Sequence, residues 1–180
     1  AYEIVLVIPA EPLFRSRDVG WDENIAHGGD SWATSASYTS TALYPDNYLV
    51  SPQVTLGGTL SFWACAQDAS WAAEHFGVAI STSGNTNASD FTTIQEWTMT
   101  AKGLGAMTRD TRDGGNRAGT WYQYTVDLSD YAGMTGYIAI RHFNCTDMFR
   151  LNIDDVELNV RGMGNRDGEI VAYNIYRSVD

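Results

Sequence analysis

Two cysteines in 180 residues are too few for a disulfide scaffold and too few for a zinc site built of thiolates. Cys65 and Cys145 each sit in a strand-like apolar run. They read as two buried free thiols, with a bridge between neighbouring strands as the alternative. Basic residues are also scarce: 11 Lys and Arg stand against 22 Asp and Glu, a formal charge of -11. Nucleic acid and anionic membrane surfaces both need a basic face, so neither is an expected partner. No apolar run reaches the length of a membrane-spanning helix. Residues 4–8 are β-branched and end at Pro9, without a basic leader or a small-residue cleavage site. They read as a strand rather than a signal peptide. Helical periodicity is missing too, which excludes parallel α/β folds.

What remains is alternation and punctuation. In residues 75–81, Phe76, Val78 and Ile80 share one face. In residues 120–128, Tyr122, Tyr124, Val126 and Leu128 oppose Trp121, Gln123, Thr125 and Asp127. Further strands are expected at 48–56, 59–66, 93–97, 137–143, 149–160 and 170–177, with a turn at Gly57-Gly58 and single helical turns at most near 69–74 and 89–91. Short strands at this spacing argue for an all-β sandwich or barrel.

The most telling strand is Asn152-Ile153-Asp154-Asp155-Val156-Glu157-Leu158. Strict alternation points Ile153, Asp155 and Glu157 one way and Asp154, Val156 and Leu158 the other. Adjacent carboxylates in an apolar strand are costly to bury without a positive partner. No basic residue lies within the stretch, so a hard cation is expected, and Ca2+ takes carboxylate and carbonyl oxygens readily. Residues 101–119 carry five Gly, Lys102, Arg109, Arg112 and Arg117. This long loop reads either as a solvated hairpin or as a contact surface for an anionic or protein partner.

Six blocks in order resemble the cleaved adhesin domain family, found in gingipain precursors and related bacterial surface proteins. They are Pro45-Asp46-Asn47-Tyr48-Leu49-Val50, Leu60-Ser61-Phe62-Trp63-Ala64-Cys65-Ala66-Gln67-Asp68, Glu74-His75-Phe76, Gly119-Thr120-Trp121-Tyr122, Arg141-His142-Phe143-Asn144-Cys145-Thr146-Asp147 and Ile153-Asp154-Asp155-Val156. The resemblance covers residues 26–160. Residues 1–25 are a variant amino-terminal segment, lacking the family's Asp-rich loop. Residues 161–180 are a linker followed by the start of another β module or a closing strand.

The resemblance implies an all-β jelly-roll sandwich, of the galactose-binding and MAM-like kind, with structural calcium. It implies a non-catalytic adhesin or haemagglutinin module of a larger polyprotein, secreted or on the bacterial cell surface. Host proteins such as haemoglobin and matrix proteins, or erythrocytes, are the expected partners. A carbohydrate-binding module and a ligand-free spacer are the alternatives. Asn47, Asp154 and Asp155 carry over best as metal ligands, with Asp18 and Asp22 as local candidates. Ligand contacts are expected at Arg109, Arg112 and Arg117, and at the loop aromatics Trp71 and Trp97. A thiol enzyme would need Cys145 beside His142, but residues three apart on a strand face opposite ways. No spacing singles out the acid and base of a glycosidase.

Overall fold

A computed structural model describes residues 5–6, 15–18, 26–28, 31–100, 120–161 and 170–174. In chain order the strands are β1 (Val5–Leu6), β2 (Arg15–Asp18), β3 (Ser31–Ala36), β4 (Asn47–Val50), β5 (Val54–Thr55) and β6 (Thr59–Ala66). They continue with β7 (His75–Ser81), β8 (Thr92–Thr98), β9 (Tyr122–Asp127), β10 (Thr135–His142), β11 (Arg150–Arg161) and β12 (Ile170–Asn174). Two short 3-10 turns, Ala88–Asp90 and Ser129–Tyr131, interrupt the loops.

Two antiparallel sheets form. One runs β1-β4-β10-β7-β8, with β5 also on β10; the other runs β2-β3-β11-β6-β9, with β12 also on β11. The long strand β11 pairs with β6 along one edge. Its other edge is shared, β3 taking residues 150–153 and β12 residues 157–161.

The sheets face each other through one apolar core. Phe76, Val78 and Ile80 of β7 and Ile138 and Ile140 of β10 meet Leu60 and Phe62 of β6, Leu151 and Ile153 of β11, and Val126 and Leu128. The expected alternation in β7 and β9 thus faces inward. A smaller cluster lies on the outer face of the second sheet: Trp32, Cys65 and Trp121, with Trp63 and Ala26 against them.

Two expectations change. Trp97, expected to contact a ligand, lies in β8, where a strand was expected, and packs on the core. Its ring is 5.0 Å from Tyr124 and 5.4 Å from Phe76. The strict alternation expected in 153–158 also fails. The β11–β6 register shifts between Asp154 and Glu157, and Asp155 takes a left-handed φ of 45°. This bulge inserts a residue, so Ile153, Val156 and Leu158 all reach the core while Asp155 is expelled.

Candidate functional site

Three places concentrate chemistry. The first is the acidic bulge. Asp154 Oδ2 accepts the backbone N–H of His27 at 2.8 Å and of Gly28 at 3.2 Å, while Oδ1 accepts the N–H of Asp155 at 2.8 Å. Asp155 Oδ2 lies 2.7 Å from His27 Nδ1, and the His27 ring stacks on Trp63 at 3.8 Å. A Cβ at Gly28 would sit 2.7 Å from the Asp155 carboxylate, which would have to swing aside to admit it. Burial pushes the Asp154 carboxyl above its ordinary value, against the pull of the Gly28, Asp155 and His27 N–H groups.

Does this site suit calcium? Two residues before Asp154, on the same face, Asn152 buries both amide atoms without a hydrogen-bond partner among the described residues. Across from it in β3, the buried Thr34 hydroxyl likewise has no partner among the described residues. Asn152 and Thr34 thus offer buried oxygens on the face that carries the Asp154 carboxylate, the kind of donor a hard cation takes. Asn47 does not join them. Its amide donates to Ser35 Oγ at 2.9 Å between the sheets, whereas Asp154 lies on the outer face of the second sheet. One ion cannot serve both faces. Asp18 lies in β2, its side chain outside the described residues, and Asp22 is outside them altogether.

The second place is a buried polar relay between the sheets. His142 ends β10 with Nδ1 2.7 Å from Ser35 Oγ and Nε2 2.9 Å from Glu74 Oε2. Glu74 Oε1 accepts from Ser37 Oγ and from the Phe149 N–H, each at 2.9 Å. Both His142 and Glu74 are fully buried. Cys145 Sγ stands 3.1 Å from His142 Nε2 and 3.4 Å from Glu74 Oε2. His142 and Cys145 therefore do meet, against the strand-parity expectation. The strand stops at His142, and Asn144 turns the chain back with a φ of 50°. Both cysteines are free. Burial pushes each thiol up to about 12, so neither carries a thiolate at neutral pH. The thiol and the carboxylate also converge on the same imidazole nitrogen, which leaves no relay of the nucleophile–base–acid kind.

The third place is an open pocket of about 350 Å³ lined by Tyr38, Asp68, Trp71, Asp147, Met148 and Phe149. Trp71 is 55% exposed, an unusual position for so large an apolar ring. Arg109, Arg112 and Arg117 lie outside the described residues.

The family model for the cleaved adhesin domain matches residues 16–158. The chain belongs to the cleaved adhesin domain family. Haemagglutinin A of Porphyromonas gingivalis W83 is 44% identical over 154 residues, which is 79% of this chain and 7% of that protein. Lys-gingipain W83 of Porphyromonas gingivalis is 43% identical over 171 residues, 88% of this chain and 9% of that protein. The chain thus spans under a tenth of the length of these relatives. Among solved structures, the K1 cleaved adhesin domain of Lys-gingipain superposes with a TM-score of 0.71 at 38% identity, covering 89% of this chain and 91% of that one. The K2 domain gives 0.66 at 35% identity, covering 80% of each chain.

Within the cleaved adhesin domain, sequence reading singled out Asp154 and Asp155 but not Asn152 or Thr34 on the same face. It named Trp71 but not the pocket around it. It weighed His142 with Cys145 and set the pair aside on strand parity, and it named Glu74 apart from them. The missing signals were contacts between segments far apart in the chain and, for His142 with Cys145, the left-handed turn at Asn144.

Proposed function

We propose that this chain is a non-catalytic adhesin module of a larger secreted or surface-bound polyprotein, on a jelly-roll-type sandwich. It binds host proteins, with haemoglobin, matrix proteins and the erythrocyte surface as candidates. The observation that carries the reading is the aromatic pocket at Trp71 on a member of an adhesin family. Three aromatic rings and two carboxylates suit a basic side chain of a partner protein, held by cation–π and ionic contact. The arginine-bearing loop 101–119 is a second contact candidate.

The test is binding of immobilised haemoglobin and fibronectin. Trp71→Ala is expected to weaken capture by at least about 10-fold, the loss typical of an aromatic anchor. Because Trp71 is half exposed, the melting temperature should stay unchanged. Equal capture by the variant would reject the pocket. The same rings could stack on a sugar, so binding to defined glycans on an array, abolished by Trp71→Ala, would favour the carbohydrate-binding alternative.

Structural calcium is part of the same proposal, with Asp154, Asp155, Asn152 and Thr34 as supporting donors. An ion there would fasten the segment at His27 to β11.

A further inference from the structure

We infer that Glu74, His142 and Cys145 form a second metal site, for a single zinc-class divalent cation. The three donor atoms are a carboxylate oxygen, an imidazole nitrogen and a sulfur, all within 4.8 Å of one another. They come from three segments: the residue before β7, the end of β10 and the loop after it. Their separations are 2.9, 3.1 and 3.4 Å. A point about 1 Å above the plane of that triangle is about 2.1 Å from each corner, which matches zinc–nitrogen and zinc–oxygen bonds and falls slightly short of zinc–sulfur.

Donor chemistry selects the ion class. Sulfur and imidazole are poor ligands for calcium and good ones for zinc. This site is therefore distinct in kind from the oxygen set at Asp154, and it lies between the sheets rather than outside them. The supporting groups are also in place. Ser35 Oγ meets His142 Nδ1, which leaves Nε2 to face the ion, and the Ser37 hydroxyl and Phe149 N–H hold Glu74. The left-handed backbone at Asn144, a conformation asparagine adopts more readily than most residues, folds the thiol onto the imidazole. Cys145 is the only one of the three that is partly exposed, so entry and the fourth coordination position lie on its side. On binding, the Cys145 sulfhydryl gives its proton to solvent and the resulting thiolate bonds the metal.

The experiment uses the chelator-stripped full chain. Zinc should bind with one equivalent at this site, and cobalt(II) in its place should give a thiolate-to-metal charge-transfer band. Cys145→Ser should abolish that band and weaken zinc binding by more than about 100-fold, beyond the loss caused by an outer-shell partner. Its circular dichroism should stay that of the wild type. Asp155→Asn should leave the band untouched, which separates this site from the outer acidic one. A folded wild type with no thiolate band, or Cys145→Ser with unchanged zinc affinity, would overturn the assignment. His142→Gln is a second ligand variant, and if it fails to fold the Cys145→Ser result decides alone.

Discussion

Asp154 shows how a single side chain is held at a cost. Burial raises its folded-state pKa above the ordinary value of 3.8, so the folded chain keeps the proton more tightly than the unfolded chain. That contribution is full below pH 3.8 and is lost as the pH climbs through the folded value. Asp154→Asn removes it. In EDTA, urea unfolding should show the variant gaining on the wild type as pH rises from about 4 to 7. Saturating calcium should reverse the order, because the ion needs the carboxylate. The thiols make a second residue-scale case. With both pushed up to about 12, alkylation of the metal-free folded chain at pH 7 should be far slower than of the same chain in urea. Equal rates would mean that one thiol is ionised in the folded state.

At the scale of elements, turns and bulges decide which side chains meet. Gly58 has a φ of +67°, and a Cβ there would run into the backbone carbonyl of Asn159. Gly58→Ala should therefore cost at least about 1–3 kcal/mol from backbone strain alone, with the clash added. At about 2–4 °C per kcal/mol for a chain this size, thermal melting would detect it. Phe62 belongs to the same argument. It is fully buried in β6 and stacks on Tyr124 at 5.6 Å, so Phe62→Ala should cost about 3–5 kcal/mol in chemical denaturation. The strands themselves were legible from alternation, since Phe76-Val78-Ile80 and Tyr124-Val126-Leu128 face the core as read. The bulge at Asp155 was not legible, because an inserted residue leaves no mark on local hydropathy.

Across the whole molecule, ions are expected to hold distant segments together. If calcium at the acidic bulge binds only the folded chain with micromolar affinity, millimolar calcium adds about 4 kcal/mol of stability. Chelation should then lower the melting temperature, and Asp155→Asn should blunt the difference. Identical melting with and without EDTA would remove calcium from the proposal. Among the described residues no helix is long and apolar enough to cross a membrane.

Composition and periodicity by themselves determined the all-β class, because alternating apolar side chains can be buried only by pairing strands into sheets. Motif order determined the family, because those residues recur at fixed spacing. The tertiary structure alone decided that His142 and Cys145 touch, that Asn47 points between the sheets while Asp154 lies on the outer face of the second, and that Trp97 packs inward while Trp71 stays out. Each of these depends on how strands far apart in sequence are paired and where a single residue breaks the register, and neither is encoded in the local pattern of the chain.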